Sequence, residues 1–286
     1  MKVKIAEPYG FCVGVENVLK LIHKIKNEHN DMPIYCLGQI VHNEMVNEDL
    51  KKQGINILIG DKKKNIEKLK KGVVIFSAHG TDEKLIEFAK NKGLIVYNAA
   101  CPFVNKEFSI IRNKIDSGYD VIYIGIKNHD ETIAAMSISP NIHFVENITD
   151  LNHLKIDNNK IITINQTTLS VLDLELIHQK LREKYPHIII FDEICNSTRL
   201  RQQFIMNNKD EVDGIIVVGD INSNNTKSLR NIACELKYDT IMVNKFESIN
   251  VEWLIKKKSI LIVSGASTPK KMVEDIYNKI INYIKI

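Results

Sequence analysis

Residues 73–80 read VVIFSAHG, and this stretch contains the unit from which the fold is built. Its first half, Val73 to Phe76, is an uninterrupted apolar run that is short enough for a strand buried on both faces. Its second half, Ser77 to Gly80, is a polar turn that contains a histidine and a glycine. A buried strand that ends in a polar turn is the arrangement at which open parallel sheets bind ligands.

Short apolar runs of the same kind recur along the whole chain. Between them lie segments with helical periodicity, such as Val171, Leu174 and Ile177. This alternation predicts an α/β protein with mainly parallel sheets. The runs are Val3 to Ala6, Ile34 to Leu37, Val73 to Phe76, Leu94 to Tyr97, Val121 to Ile124, Ile161 to Ile164, Ile188 to Phe191, Ile215 to Val218 and Ile260 to Val263.

The composition of the 286 residues is that of an ordinary globular protein, with 44% hydrophobic and 26% charged residues. No apolar run approaches the roughly 20 residues that span a bilayer, so we expect no membrane partner. The chain enters the strand-like run at Val3 without a secretory or transit signal, which predicts a cytoplasmic protein. A net charge of +4, with no basic stripe interleaved with aromatic residues, argues against nucleic acid as a partner.

The chain has five cysteines, an odd number that argues against a disulfide framework in a protein without a secretory signal. Cys36 lies inside a predicted strand and Cys234 in a helical pattern, and we expect both to pack in the core. The other three, Cys12, Cys101 and Cys195, each follow a predicted strand. They are separated by 89 residues (12 to 101) and by 94 residues (101 to 195).

This near-equal spacing predicts three pseudo-symmetric α/β lobes, which we place at 13–100, at 101–194, and at 1–12 together with 195–286. If the lobes face a common axis, the three thiolates can converge on one soft-metal centre, either an iron–sulfur cluster or zinc. Three ligands leave one coordination position open, as in a catalytic metal site.

Polar clusters follow nearly every predicted strand, and they contain the other candidate site residues. The clusters are Gly10 to Gly14, His42-Asn43, Ser77 to Gly80, Cys101-Pro102, His129-Asp130-Glu131, Gln166-Thr167-Thr168, Cys195, Asn222 to Asn225 and Ser264 to Ser267. Because the carboxyl ends of parallel strands share one edge of a sheet, we expect these residues to line a common cleft.

Taken in order, these clusters give the chain a full-length resemblance to the 4-hydroxy-3-methylbut-2-enyl diphosphate reductase family (LytB/IspH family). The matching motifs are Gly10-Phe11-Cys12-Val13-Gly14-Val15, His42-Asn43, Phe76-Ser77-Ala78-His79-Gly80, Cys101-Pro102, His129-x-Glu131, Gln166-Thr167-Thr168-Leu169-Ser170, Ile194-Cys195-x-x-Thr198-x-x-Arg201-Gln202 and Gly265-Ala266-Ser267. Any one of them alone would be a weak signal, whereas the ordered set is highly specific.

The resemblance implies a trefoil of three lobes around a central [4Fe-4S] cluster, one per chain, held by Cys12, Cys101 and Cys195. It implies an iron–sulfur reductase of the non-mevalonate isoprenoid pathway that removes the hydroxyl of an allylic diphosphate at the unique iron and gives isopentenyl and dimethylallyl diphosphates. Ferredoxin or flavodoxin would be the electron donor.

The resemblance also assigns roles to individual residues. Glu131, Thr167 and His129 would be catalytic, with Glu131 supplying protons and Thr167 near the substrate hydroxyl. The substrate would be bound by His42, His79, His129, Thr167, Ser223, Asn224, Asn225 and Ser267.

The chain departs from the family pattern at four sites. Asn224 stands where a second serine is common, and its amide can donate to phosphate as a hydroxyl does. Tyr9 stands where arginine is common, Asp130 replaces a usual proline, and Asn98-Ala99-Ala100 precedes Cys101 where Asp-x-Thr is usual. These last three changes concern residues that support the ligands, not the ligands themselves.

Two other functions use the same three cysteines. One is a synthase or dehydratase whose three-cysteine [4Fe-4S] cluster acts only as a Lewis acid, without net reduction of the substrate. The other is a non-catalytic metal-binding protein that holds zinc or a redox-responsive cluster. Electron consumption separates the reductase from the first, and zinc content separates it from the second.

Overall fold

The computed structural model describes residues 1–208 and 211–284, which form alternating strands and helices. All the strand pairings are parallel. The strands are β1 (Lys2–Ile5), β2 (Ile34–Leu37), β3 (Ile55–Leu58), β4 (Val73–Phe76), β5 (Ile95–Asn98), β6 (Asp120–Ile124), β7 (Ile142–Val145), β8 (Ile161–Asn165), β9 (Ile189–Ile190), β10 (Gly214–Val218), β11 (Thr240–Val243) and β12 (Ser259–Ser264).

The helices begin and end where the sequence provides local signals. For example, the Ser170 hydroxyl accepts from the N–H of Asp173 at the start of α7, which ends at Lys184, just before Pro186. No described helix is long and apolar enough to cross a membrane. The helices are α1 (Val13–Glu28), α2 (Glu44–Lys52), α3 (Lys62–Lys68), α4 (Glu83–Asn91), α5 (Pro102–Asp116), α6 (Asp130–Met136), α7 (Val171–Lys184), α8 (Asn196–Asn207), α9 (Asn224–Glu235), α10 (Val251–Ile255) and α11 (Lys270–Ile284), with 3-10 turns at Ile148–Asn152 and Phe246–Ser248.

The strands form three separate four-stranded sheets with the same internal order. These are β3-β2-β4-β5, β7-β6-β8-β9 and β11-β10-β12-β1. The first strand of the chain therefore completes the third sheet, pairing with β12. This arrangement confirms the predicted α/β fold of three pseudo-symmetric lobes with parallel sheets.

The lobe boundaries near residues 12, 100 and 194 remain our proposal, which is compatible with the membership of the three sheets. The third range, 195–286, also contains residues 209, 210, 285 and 286, which lie outside the described residues.

All nine predicted strands are present, with no end shifted by more than one residue, but three further strands were missed. They are β3, β7 and β11, and each lies at the same outer edge of its sheet. Their sequences are short and carry polar or partly exposed side chains, as in INIL and IHFV. A polar side chain interrupts or shortens the apolar run of each of them: Asn56 in β3, His143 in β7 and Thr240 in β11.

The two cysteines assigned to the core have different environments. Cys36, on β2, is fully buried among apolar side chains, and burial raises the pKa of its thiol to about 12, as expected for a packing residue. The prediction for Cys234 was wrong, because this residue is exposed. The buried stripe of α9 contains Leu229, Ile232 and Ala233, and Cys234 lies outside it.

Candidate active site and metal centre

The structure brings all twelve predicted site residues to one cavity between the three lobes. They are Cys12, His42, His79, Cys101, His129, Glu131, Thr167, Cys195, Ser223, Asn224, Asn225 and Ser267. The wall also contains residues to which no role had been assigned, among them Phe103, Thr168 and Thr198. A single cavity with thiol, imidazole, carboxyl, hydroxyl and amide groups can hold a soft metal and a polyanion side by side.

The sheet topology explains this convergence, because equivalent strands of each lobe lead to the cavity. The three inner edge strands, β5, β9 and β1, are followed by Cys101, Cys195 and Cys12. The six central strands are followed by the remaining site residues, in the order His42, His79, His129 with Glu131, Thr167, Ser223 to Asn225, and Ser267. The outer edge strands carry none of these residues, so missing them left the site prediction unaffected.

Each of the three cavity cysteines is the N-cap of a helix. Cys12 precedes α1, Cys101 precedes α5 and Cys195 precedes α8. The sulfur of Cys12 accepts from the N–H of Val15 at 3.5 Å, and that of Cys195 accepts from the N–H of Thr198 at 3.4 Å. The positive end of a helix dipole stabilises a thiolate, so all three positions suit a thiolate ligand.

The sulfurs approach one another across the start of α1. A methyl group placed on Gly14 would lie 2.8 Å from Cys101 Sγ and 3.7 Å from Cys12 Sγ, which shows that only a glycine fits between them. Burial raises the pKa of the Cys101 thiol, and the nearby Cys12 and Cys195 add to this rise. Burial also raises the pKa of Cys195. Three free thiols that line one cavity fit a soft-metal centre, whose binding would displace their protons.

Arg201, which sequence reasoning placed in a motif without a role, fixes the position of the loop that carries Cys12. Its guanidinium is 2% exposed. It donates to the Gly10 carbonyl at 2.7 Å and to the carbonyl and hydroxyl of Ser264 at 2.8 and 3.0 Å. The buried cation thereby ties the first cysteine loop to the end of β12. Its position six residues after Cys195 is the only sequence signal of this contact.

The three histidines form a second group in the cavity. Their ring centroids are 4.6 Å apart for His42 and His79, 5.9 Å for His42 and His129, and 5.5 Å for His79 and His129. One nitrogen of each ring lies within 4.8 Å of the others. Among the described residues, His42 Nε2 and His79 Nδ1 are buried and have no hydrogen-bond partner. Unpartnered nitrogens that face a cavity indicate a place for a ligand.

Burial lowers the pKa of all three imidazoles. The pKa of His79 falls well below its usual value, that of His129 falls to about 4, and that of His42 falls as well. Mutual repulsion between protonated rings adds to the effect at His79 and His129. In the absence of an anion the imidazoles are therefore neutral at pH 7, and an anion beside them would restore their charge.

This shift predicts that the folded chain loses stability in mild acid. Between pH 6.5 and about pH 4 the unfolded chain binds a proton at His129 that the folded chain does not, so the free energy of unfolding falls as the pH falls. His129 alone contributes a loss of about 2 kcal/mol between pH 7 and pH 5. Urea unfolding at pH 7 and at pH 5 measures this loss of unfolding free energy. Inorganic pyrophosphate, bound beside the histidines, should reduce it.

The variant His129→Asn should show a smaller loss between the two pH values. His143→Asn serves as the matched control, since His143 is partly exposed and paired with Asp120 at 2.7 Å, outside the cavity. An equal loss in the wild type and in His129→Asn would contradict the assignment.

Hydroxyl and amide groups from the third lobe complete this part of the wall. Ser223 is the N-cap of α9, where its hydroxyl accepts from the N–H of Thr226 at 3.3 Å. Asn224 and Asn225 follow in the first turn of α9. The side-chain N–H of Asn225 donates to the Thr198 hydroxyl at 2.8 Å. The side-chain oxygen of Asn225 has no hydrogen-bond partner among the described residues. Ser267 donates to the carbonyl of His42 at 3.0 Å. A helix N-terminus beside three imidazoles is suited to an anion.

Glu131 lies against Thr167 at the wall of the second lobe. One carboxyl oxygen accepts from the Thr167 N–H at 2.6 Å and the other from the Thr167 hydroxyl at 3.2 Å. Glu131 is 1% exposed, and burial raises the pKa of its carboxyl group although the bonds from Thr167 oppose the rise. A buried carboxyl with a raised pKa can hold a proton and deliver it to a bound ligand.

The departures from the family pattern have local explanations. Asp130 pairs with Lys62 at 3.0 Å, and Tyr9 donates to Glu274 at 3.1 Å. The Asn98 side chain accepts from the N–H of Ala100 at 3.1 Å and shapes the turn before Cys101. These three side chains thus have partners outside the cluster of thiols and imidazoles, whereas Asn224 lines the cavity itself.

Comparisons with known proteins match this chain to one family over nearly its whole length. The family model described as LytB protein matches residues 3–281. A protein of Malacoplasma penetrans (strain HF-2) named 4-hydroxy-3-methylbut-2-enyl diphosphate reductase is 37% identical over 279 residues, covering 94% of this chain and 93% of the relative. A protein of the same name from Geobacillus sp. (strain WCH70) is 37% identical over 280 residues, covering 96% of this chain and 89% of the relative.

A solved structure has the same overall fold. The E-1-hydroxy-2-methyl-but-2-enyl-4-diphosphate reductase from Plasmodium falciparum superposes with a TM-score of 0.91 at 33% identity, covering 97% of this chain and 87% of that chain.

Proposed function

The chain belongs to the LytB protein family, and from this membership we infer that it is a reductase acting on (E)-4-hydroxy-3-methylbut-2-enyl diphosphate. The reaction removes the hydroxyl reductively and gives isopentenyl and dimethylallyl diphosphates, the last step of the non-mevalonate isoprenoid pathway. One observation of the structure supports this function most strongly: three thiols, three imidazoles and a buried carboxyl group share one cavity.

We propose that Cys12, Cys101 and Cys195 hold one [4Fe-4S] cluster. Their thiols are free, adjacent and placed at helix N-termini, which suits a thiolate-bound soft metal. When bound, the cluster supplies electrons and an iron with an open coordination position. The three helix N-termini and the Thr198 hydroxyl, 3.1 Å from Cys195 Sγ, stabilise the negative charge of the thiolates.

The diphosphate group of the substrate would occupy the space before the three histidines. His42 and His79 present unpartnered nitrogens there, and a polyanion raises the pKa of the imidazoles so that they become charged donors. Ser223, Asn224, Asn225 and Ser267 add hydroxyl and amide groups from the third lobe. Binding this group would leave the hydroxyl end of the substrate free to point toward the cysteines.

Glu131 would supply the proton that turns the leaving hydroxyl into water. Thr167, which bonds to both oxygens of Glu131, holds the carboxyl group in place, and its hydroxyl can accept one hydrogen bond while donating another. His129 caps the helix that carries Glu131, its Nδ1 accepting from the Glu131 N–H at 3.3 Å, so that substrate binding and proton delivery are positioned together.

The electrons would come from ferredoxin or flavodoxin in the cytoplasm. The sequence has no glycine-rich dinucleotide fingerprint: Gly10 to Gly14 lacks the full pattern and contains a cavity cysteine. An external one-electron carrier is the donor class that we propose on the family resemblance.

An anaerobic assay driven by dithionite tests the function. The purified chain, loaded with its cluster, should convert the hydroxylated butenyl diphosphate to the two product diphosphates and consume two electrons per substrate. Conversion of the substrate without electron consumption would identify the Lewis-acid synthase or dehydratase instead. A loaded chain that neither consumes electrons nor changes the substrate would contradict the proposal.

A further inference from the structure

We propose that Glu107 is a proton reserve for Glu131: a second carboxyl group, walled off from the cavity, that passes its proton to Glu131 during turnover. The proposal rests on the reductive function described above. It is carried by one juxtaposition, a fully buried carboxyl group next to the carboxyl group that lines the cavity.

Glu107 occupies a position of α5 at which an apolar side chain would be expected. Val104 and Ile111, three residues before it and four residues after it, lie in the core of the second lobe. Glu107 is itself 0% exposed, and it is not among the residues that line the cavity. An ionised carboxylate in such a place costs several kcal/mol. A merely structural residue at this position would be apolar.

The groups that face Glu107 come from two other elements, with Glu131 on α6 and Tyr123 on β6. Both oxygens of Glu107 and the Tyr123 hydroxyl are buried without a well-formed hydrogen bond within the described part of the chain. Glu131 and Tyr123 nevertheless lie near enough to interact with Glu107 through side-chain hydrogen bonding. A proton between the two carboxyl groups would give each of them a partner.

The described residues offer no cation that would neutralise the two carboxyl groups of Glu107 and Glu131. The neighbouring Lys106 turns outward and binds Glu193 at 2.7 Å. Glu193, a more distant carboxylate, also disfavours ionisation of Glu107. The negative charge of an ionised pair would therefore be uncompensated, which leaves protonation as the remaining way to stabilise it.

The pKa directions agree with this geometry. Burial raises the pKa of Glu107 well above its usual range, and the adjacent Glu131 adds to the rise. Burial also raises the pKa of Glu131, opposed by its bonds to Thr167 and Glu107. Two adjacent carboxyl groups cannot both ionise at little cost, so the pair holds at least one proton at pH 7. A bound diphosphate favours a second proton by its charge.

The stored protons match the needs of the reaction. Reductive removal of a hydroxyl consumes two electrons and two protons: the C–O bond breaks, water leaves and a C–H bond forms. The external donor provides the electrons. Glu131 breaks its O–H bond to protonate the leaving oxygen. Glu107 then breaks its own O–H bond as Glu131 forms a new one, so that Glu131 can donate again. After product release, water in the cavity reprotonates Glu131 and, through it, Glu107.

The variant Glu107→Gln tests this role, because it keeps the shape of the side chain and removes the acidic proton. We expect kcat to fall by about tenfold or more, KM to stay within about twofold, and the solvent deuterium isotope effect on kcat to increase. Infrared spectroscopy of the wild-type chain at pH 7 should show the carbonyl stretch of a buried protonated carboxyl group, and this band should be weaker in the variant. Glu83→Gln is the matched control, since Glu83 is exposed and paired with Arg112.

Glu107→Met separates the proposed role from a structural one. It should fold with a melting temperature equal to or above that of the wild type, because an apolar side chain replaces a buried charge, and yet it should be slow. Unchanged kcat and isotope effect in the loaded variants, or an infrared band of unchanged intensity in Glu107→Gln, would overturn the proposal. A loaded wild-type chain without turnover would contradict the reductase function instead, and the infrared band would still decide whether Glu107 holds a proton.

Discussion

Replacing Cys101 with serine is expected to remove the proposed metal centre and to reduce turnover to the background rate. A serine hydroxyl is a hard ligand that stays protonated near neutral pH, so it cannot take the place of a thiolate on a soft metal. Cys101 is also the sulfur that lies closest to Gly14, in the contact between the first and second lobes. Two remaining thiols cannot hold a cluster that three are needed to bind.

Iron and acid-labile sulfide analysis of the anaerobically purified variant measures this loss directly. Cys234→Ser is the matched control, since Cys234 is a free cysteine exposed on α9 and absent from the cavity wall. It should keep the iron content and the turnover of the wild type. Full iron content and activity in Cys101→Ser would show that this thiol is not a ligand.

Glu131→Gln should leave substrate binding largely intact while lowering kcat by about 10²- to 10⁴-fold. The amide keeps the size of the carboxyl group, and its oxygen can still accept from the Thr167 N–H, but it has no acidic proton to give. Burial holds the pKa of Glu131 above its usual value, so the wild-type carboxyl keeps its proton at higher pH than an exposed glutamate would.

Anaerobic steady-state kinetics with dithionite separates the two parameters for Glu131→Gln. KM should stay within about threefold of the wild type, because the proposed diphosphate contacts come from other residues. Glu175→Gln, on the exposed face of α7, is the matched control and should behave as the wild type. A kcat equal to that of the wild type would remove Glu131 from the reaction.

The sequence predicted the parts of the fold that are buried on both faces. Runs such as Val73 to Phe76 and Ile215 to Val218 are fully buried in the structure, and only uninterrupted apolar side chains satisfy that environment. The outer edge strands β3, β7 and β11 were missed because a polar side chain interrupts or shortens the apolar run of each, as Asn56 does in β3. Cys234 was misplaced for a related reason: the helical pattern locates a residue on a helix but not always on its buried face.

The candidate site was predictable because its residues follow strands, where short polar motifs stand out against apolar runs. Glu107 was missed because it lies within a helix, where a single charge is normally solvated. Its signal was its place in the apolar stripe of α5, between Val104 and Ile111. The position of Arg201 beneath the Cys12 loop could not be foreseen, since it depends on how α8 packs against β12.

The proposed reaction requires three sulfurs from distant parts of the chain to hold one iron–sulfur cluster. Metal and sulfide analysis of the wild-type chain, purified without oxygen, tests this most directly. We predict about four iron atoms and about four sulfides per chain, and a change in the spectrum of the cluster when the substrate is added. One zinc ion per chain with no sulfide would contradict the account.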